Sequence, residues 1–585
     1  MARGEGSSWG SWGRSKSESP PPPYSQVVDG GHRAYERTPL LNSVYSKDGN
    51  KSRSSSSLWE LVEYIARVFA ALAIVAVLIG AVGFLGYFLL SFIRYLFRPA
   101  PPPPTFSVAI IGAGPAGIAA AQQLRASTPQ RDFRIDITIF ETSSRVGGQL
   151  AVANPQGGLV FPHDDPLQDP ITAEDTAGSA LLYANPLFTR DSENILGDRV
   201  SFTQLETHQV KYYRGENSVT ETTRPYSKTP MMAWLGLIFR YGPAVWRFGG
   251  MTKDEDFRNK IAKAPLSTDI REIVESLGVI NLAQQWATNE LGHRGIGGSY
   301  RTEVVEPQIR RTLGQRLEEV SGLALLIATV QEDMGSSFSG GDLAERLESV
   351  LYGLNVDLRT ETKVTGFKYE LLGENQPAWI VQHEGMAGTT SPQYAAFDKI
   401  ILATYDDELI REAMFGIRQY DQDAEEMIES VSGLFKPAYL TFFTSTKQSE
   451  TWHSAEQFLF LDTDDKESFY SSVHEFALVR AIPNTWDDNG KFQVEYLYRL
   501  LSDSDVTEHL QQDPAVTWMH QERIENAYPL LLPVNRFPQF KVPGHSLWWT
   551  SVINSIGNSI DLNWLAGKIV AQDLIREVKM EQMKR

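Results

Sequence analysis

The sequence predicts an α/β protein with a Rossmann-type dinucleotide-binding domain, preceded by a disordered tail and one transmembrane helix. Three observations lead there. A short β-rich run, Phe106 to Ile111, is followed by a glycine-rich turn and then by helical spacing from Ile118 to Leu124. A second β-rich run, Ile135 to Phe140, ends on Glu141. Upstream, Val68 to Ile93 run for 26 residues without one charge. With 585 residues, 42% of them apolar and 22% charged, the chain exceeds one small module and can bury a core. Cysteine is absent, which excludes disulfides, thiolate zinc sites and a cysteine nucleophile.

Residues 1–57 are rich in Ser, Gly, Pro and Arg and show no periodic apolar face, the composition of a disordered tail. Residues 58–97 hold the charge-free run. As a helix its 26 residues span about 39 Å at 1.5 Å each, enough to cross a hydrocarbon core of about 30 Å with some tilt. The run begins more than sixty residues from the start, so it reads as a signal anchor rather than a cleavable signal peptide. The basic residues close to it are nearly balanced, with Lys51, Arg53 and Arg67 before and Arg94 and Arg98 after. The eight Lys and Arg of the tail favour a cytosolic N-terminus and a lumenal remainder. Residues 98–104, with Pro99 and Pro101 to Pro104, form a stiff proline-rich spacer.

Two tail patterns are of kinds that cytosolic proteins read. Pro21-Pro22-Pro23-Tyr24 fits the P-P-x-Y ligand of a WW-domain protein. Glu36 to Leu41 looks like an acidic dileucine signal for a sorting adaptor. A chance proline run or Leu-Leu pair accounts for either alone; together ahead of a span they point to a vacuole or lysosome. The sequon Asn50-Lys51-Ser52 would then face the cytosol, and no Asn-x-Ser/Thr follows the span.

Residues 105–585 carry 43 basic against 65 acidic residues, a balance of −22, which excludes nucleic acid as the main partner. Their opening turn, Gly112-Ala113-Gly114-Pro115-Ala116-Gly117, has the strand-turn-helix context that G-x-G-x-x-G requires. Gly112 permits the turn, Gly114 lets the backbone approach a pyrophosphate, and Gly117 lets the helix pack on the strand. Glu141 is placed to accept hydrogen bonds from ribose hydroxyls. Arg145-Val146-Gly147-Gly148-Gln149 follows within a few residues.

That double glycine resembles the second motif of the large FAD-dependent oxidases that include amine oxidases and phytoene desaturases, and implies FAD rather than NAD. In those proteins the motif approaches the cofactor's adenosine and phosphates; Gln149 stands where they carry a basic residue. Three further stretches fit the resemblance in order. Gly340 to Leu347 and then Val356 to Phe367 resemble a GG-x-x-x-L helix and returning strand, which would set the Val364 backbone against the adenine. Lys399 to Thr404 resembles the strand that re-enters the FAD domain. Leu547 to Ile575 resembles the last strand and the helix that touches the flavin, with Asn554 and Ile560 to Asn563 near it.

Within that group the chain resembles the prenylcysteine oxidase (prenylcysteine lyase) family. Asp175 to Asn185 is similar to that family's acid, glycine, serine, aliphatic and asparagine block, with Tyr183 where the family has histidine. Arg310 to Gln315 is similar to its R-V-N-Y-G-Q segment at Arg310, Gly314 and Gln315. Leu323 to Gly341 resembles its alanine-rich helix. The resemblance implies an FAD-binding part at about 105–160, 335–405 and 540–580, interleaved with a mixed α+β substrate-binding part at about 175–335 and 405–540, with residues 151–174 inserted. It also implies oxidation of the carbon beside the sulfur of a prenylated cysteine, with molecular oxygen as acceptor, giving cysteine, a prenyl aldehyde and hydrogen peroxide. The apolar stretch Met231 to Phe248 would line an isoprenoid channel, dip into a membrane surface, or form a plain core helix.

Other residues are left without chemistry. His163-Asp164-Asp165 reads as a solvated loop rather than a metal site, and His474-Glu475 and His520 as surface or packed polar groups. No nucleophile elbow is present and no catalytic side chain is assigned. Two other readings stay open: a flavin oxidase or desaturase acting on an amine, a porphyrinogen or a terpenoid, and a membrane adaptor whose tail recruits a WW-domain ubiquitin ligase.

Overall fold

A computed structural model describes residues 57–97, 102–128, 132–148, 160–171, 175, 187–191, 201–204, 208–224, 229–252, 255–333, 336–339, 343–372, 376–386, 391–415, 435–446, 457–462, 468–486, 492–542 and 545–584. The tail with Pro21–Tyr24 and Glu36–Leu41 lies outside the described residues, as does Gln149. The chain divides into two compact units, 1–100 and 101–585.

In the first unit one helix runs Ser57–Leu96. Its apolar residues cover every side, and from Trp59 to Leu96 it is long and apolar enough to cross a membrane. It extends past the charge-free run at its N-terminal end, where Glu63 and Arg67 pair at 2.6 Å one turn apart.

The second unit is α/β. Its centre is a five-stranded parallel sheet in the order Leu547–Trp549, Lys399–Leu402, Thr105–Ile111, Arg134–Phe140 and Asp357–Arg359. Parallel strands covered on both faces need continuous apolar runs, and Val108 to Ile111 and Ile400 to Leu402 supply them fully buried. The helices Pro115–Ser127 and Ile560–Lys584 pack on each other through small residues. A Cβ at Gly567 would come within 2.1 Å of the Ala116 carbonyl oxygen and 2.9 Å of the Ala119 side chain, so only glycine admits this approach.

Two expected elements are divided. The stretch Val356 to Phe367 is two strands: Asp357–Arg359 closes the edge of the parallel sheet, and Thr362–Leu372 leaves it for a three-stranded antiparallel sheet with Gln376–Gly385 and Gln393–Phe397. Glu361, in the left-handed region at φ 50°, turns the chain between them. The stretch Met231 to Phe248 is likewise two helices, Met231–Tyr241 and Ala244–Thr252, broken where Gly242 takes φ 65° ahead of Pro243.

A seven-stranded sheet forms the other wall. Its order is Val516–Pro529, Phe435–Ser445, Phe492–Ser502, Val473–Trp486, Gln457–Phe460, His208–Arg214 and Asn217–Arg224, antiparallel except where Gln457–Phe460 meets His208–Arg214. Two strands from residues 208–224 thus join five from 435–529 across more than two hundred residues of chain.

Candidate functional site

The glycine-rich turn sits at the C-terminal end of the Thr105–Ile111 strand. The Gly112 N–H donates to the Phe140 carbonyl at 2.8 Å, and Gly112 takes φ 105°. A Cβ there would fall 2.4 Å from the Ala403 carbonyl oxygen, and one at Gly117 would fall 2.0 Å from that of Gly112. Both glycines are therefore demanded by the fold itself. Gly114 differs: it caps the helix at φ −76°, and the nearest atom to a Cβ is the Gly148 Cα at 4.0 Å. The space beside it is an open cradle, with Pro115 at the first helical position and the helix N-terminus facing it.

Glu141 and the double glycine close around this turn. Glu141 Oε2 accepts from the Ala113 N–H at 2.7 Å and Oε1 from the Ser143 N–H at 2.9 Å. Burial pushes its carboxyl above the usual range, against those backbone hydrogen bonds. The Gly147 N–H donates to the Ala113 carbonyl at 2.8 Å, and a Cβ on Gly148 would lie 3.3 Å from the Gly114 Cα. The RVGG stretch is thus pinned against the G-x-G-x-x-G turn by backbone contact. Arg145 is half-buried and off the cavity wall.

One cavity of about 510 Å³ starts here. Gly112, Gly114, Pro115, Ala116, Glu141 and Gly148 line one side, and Val364 lines it beside Thr362 and Lys363. It continues past Thr404, Tyr405 and Asp406 to Thr550, Ser551, Asn558 to Ile560 and Asn563. Tyr405, half-buried, donates to Asn563 Oδ1 at 3.1 Å, and burial raises its phenol's pKa. Asn554 is buried off the cavity wall, its Nδ2 donating to the Ser551 carbonyl at 3.2 Å, while Ser551 itself lines the cavity.

The opposite wall comes from the seven-stranded sheet and from the helix Glu306–Leu313. Ala438, Leu440, Leu501, Ile524 and Ala527 make it apolar. Into it are set Arg311, Glu475, Arg499 and Tyr528. Glu475 Oε2 accepts from Arg499 Nη2 at 2.9 Å, and Oε1 lies 3.5 Å from Arg311 Nη1 and also accepts from Gln457. Arg499 Nη1 donates to the Asp175 carbonyl at 2.7 Å, and Tyr528 donates to that of Arg311 at 3.2 Å. Two guanidiniums on one carboxylate leave these three residues with one positive charge in excess. Burial lowers the Arg311 guanidinium's pKa and raises the Tyr528 phenol's.

Sequence reasoning missed this wall. Glu475 is not an ordinary packed polar group but the hub of a buried ion cluster facing the cavity. Arg310, Gly314 and Gln315 serve the fold instead. Arg310 donates to the Ser471 carbonyl at 2.7 Å; Gly314 ends the helix at φ 61°, where a Cβ would meet the Tyr528 ring at 2.3 Å; Gln315 Nε2 donates to the Pro529 carbonyl at 2.8 Å. Arg311 and Thr312, between them, are the residues that reach the cavity. His163 is not simply solvated: its Nε2 pairs with buried Glu495 at 2.5 Å, which raises its pKa. Among the described residues no group of His, Cys, Asp and Glu is arranged to hold a metal ion. Of Asp175 to Asn185 only Asp175 is described.

Comparison with known proteins adds the following. A family model described as prenylcysteine lyase matches residues 226–584, and one described as an NAD(P)-binding Rossmann-like domain matches 110–168. Prenylcysteine oxidase 1 of Bos taurus is 22% identical over 516 residues, covering 83% of this chain and 91% of that protein. In structure the unit resembles putrescine oxidase, as a triple mutant redesigned in cofactor binding, with a TM-score of 0.50 and 13% identity over 81% of this chain and 100% of that one. The cofactor is FAD, and the open cradle at Gly114, the helix N-terminus beside it and the buried Glu141 carboxylate fit such a dinucleotide.

Proposed function

This chain belongs to the prenylcysteine lyase family, and from that premise we propose that it cleaves the thioether of farnesyl- or geranylgeranyl-cysteine with molecular oxygen as acceptor. One observation carries the reading within the structure. The dinucleotide turn and the Arg311–Glu475–Arg499 cluster open on the same cavity, and the cluster is set into its apolar wall. Such a space suits a molecule with an amino-acid end and a long hydrocarbon end.

FAD supplies hydride acceptance and reoxidation by oxygen when bound. The chain's own residues bind and orient. Gly114 and the helix N-terminus receive the pyrophosphate, and Glu141 receives a ribose. Arg311 and Arg499 take the substrate carboxylate in charge-assisted hydrogen bonds, and Glu475 holds both guanidiniums in place. Leu440, Leu501 and Ile524 exclude water around the prenyl group. In the net reaction the carbon beside sulfur gives up a hydride and gains water. The C–S bond then breaks, so that prenylcysteine, water and oxygen become cysteine, prenyl aldehyde and hydrogen peroxide. Purified protein given farnesylcysteine and air should yield cysteine, farnesal and peroxide in equal amounts without nicotinamide. Peroxide without free cysteine would overturn the substrate.

We further propose a single-pass anchor with a cytosolic N-terminus and the oxidase unit in the lumen of a vacuole or lysosome: the helix Ser57–Leu96 supports the anchor, and the basic tail with its two patterns is the reason for the orientation and compartment. The tail segments Pro21–Tyr24 and Glu36–Leu41 are the proposed contacts for a WW-domain protein and a sorting adaptor. Protease added to sealed vesicles should trim the tail and spare the oxidase unit; digestion of that unit would reverse the topology.

A further inference from the structure

The helices Met231–Tyr241 and Ala244–Thr252 contribute nothing to the cavity wall and leave an apolar face uncovered. Met231 and Met232 are each 75% exposed, Phe239 88%, Trp246 58% and Leu235 40%. Residues 231, 235 and 239 recur every fourth position, and 232 is three before 235, so they share one side of the first helix. Leu237, Val245 and Phe248 are buried. The rings of Trp234 and Trp246, 6.2 Å apart, carry the face from one helix to the next. A soluble surface seldom leaves so many large apolar side chains together in water.

Charge and covalent connection say what covers it. From Thr222 to Lys253 the sequence holds five basic residues, Arg224, Lys228, Arg240, Arg247 and Lys253, and no Asp or Glu, inside a unit whose balance is −22. Trp, Phe and Met on one side, in a stretch of sequence that is basic throughout, is the composition of a helix lying in a bilayer interface; of its arginines, Arg240 also pairs with Glu303 at 2.9 Å and Arg247 is exposed. Eight residues, Phe97 to Pro104, separate the end of the Ser57–Leu96 helix from Thr105. Fully extended they reach about 29 Å at most, a short covalent tether to whatever that helix crosses.

We propose that the exposed face of residues 231–246 docks on the bilayer, its Met, Leu, Phe and Trp side chains in the outer acyl region and the exposed Arg247 beside them on anionic headgroups. The proposal rests on reading residues 57–96 as a membrane anchor. It would hold the unit against the phase into which a prenylated substrate partitions.

The chain has no cysteine, so Phe239→Cys and Leu167→Cys each create a single labelling site in the full protein. Leu167, also exposed, lies on the 162–168 loop that packs on strand Val516–Pro529 and serves as the control. Each spin-labelled holoprotein is reconstituted in vesicles of phosphatidylcholine with phosphatidylserine as the minor lipid, and flavin absorbance reports that it is folded. The label at 239 should collide more with dissolved oxygen than with a water-soluble nickel chelate, and the label at 167 the reverse. If both labels meet the chelate equally while the protein still floats with the vesicles, docking is wrong and the anchor stands. A protein that does not float overturns both. Spin–spin broadening at 239 that grows with protein density would give the face to a second copy and overturn the bilayer as its occupant.

Discussion

Replacing Gly114 separates cofactor binding from folding, because the three glycines of the turn differ in what a side chain would meet. At Gly112 a Cβ would stand 2.4 Å from the Ala403 carbonyl oxygen on a backbone at φ 105°, and at Gly117 2.0 Å from the Gly112 carbonyl oxygen. Each overlap forces backbone to shift, and strain of that kind costs about 1–3 kcal/mol or more. At Gly114 the backbone is ordinary, φ −76°, and the nearest atom is 4.0 Å away. Gly114→Ala should therefore cost the apoprotein no more than about 1 kcal/mol, the scale of a helix-cap change. The same Cβ fills the cradle into which the pyrophosphate fits. Losing even one charge-assisted hydrogen bond costs about 1.5–3 kcal/mol, roughly 10- to 150-fold in Kd, and the bulkier Gly114→Val should be purified colourless. The assay pairs visible flavin absorbance per mole of protein with apoprotein Tm. The expected pattern is Gly114 variants near the parental apoprotein in Tm but poor in flavin, with Gly112→Ala and Gly117→Ala low in both. Full flavin occupancy in Gly114→Val would refute the placement of the cofactor, and a Tm as low as that of Gly112→Ala would refute the open cradle.

Glu141→Ala removes the carboxylate that accepts from Ala113 and would accept from a ribose, and should raise the Kd for FAD by roughly tenfold or more, read by flavin titration. Arg311→Met should keep its flavin and lower kcat/KM for farnesylcysteine by about 10- to 150-fold, with little effect on a farnesyl thioether that lacks the carboxylate. Lys399→Met breaks the buried contacts of Lys399 with Glu577 at 2.7 Å and Glu581 at 2.5 Å, and should cost about 3 kcal/mol, the low end for a buried pair because Glu581 is partly exposed. Burial works to raise the Glu577 carboxyl, but Lys399, Lys541 and Ser546 together hold it below its ordinary range. Its stabilising effect is present above the unfolded carboxyl's pKa and is lost as pH falls through the lowered one, so acid unfolding of Lys399→Met should begin at a higher pH.

The dinucleotide turn was legible because its parts are neighbours in sequence. A strand, three glycines, a helix, a second strand and an acid follow one another within residues 105–141. The opposite wall has no such local pattern. Arg311, Glu475, Arg499 and Tyr528 come from one helix and three strands and meet only when the seven-stranded sheet forms. Arg310 and Arg311 show why adjacency misleads. Successive helical positions point about 100° apart, so the residue that fits the family pattern ties down the Ser471 carbonyl while its neighbour reaches the cavity. The break at Gly242 and Pro243 was written in the sequence but obscured by the mostly apolar run around it.

The proposed reaction at this FAD site is oxidation of a prenylated cysteine. It is tested most directly by anaerobic titration of the purified holoprotein with farnesylcysteine and geranylgeranylcysteine, followed by admission of air. The oxidised flavin absorbance should be lost without nicotinamide and return with oxygen. A flavin that stays oxidised with both thioethers yet is bleached by an amine or a porphyrinogen would contradict the substrate and leave only the oxidase.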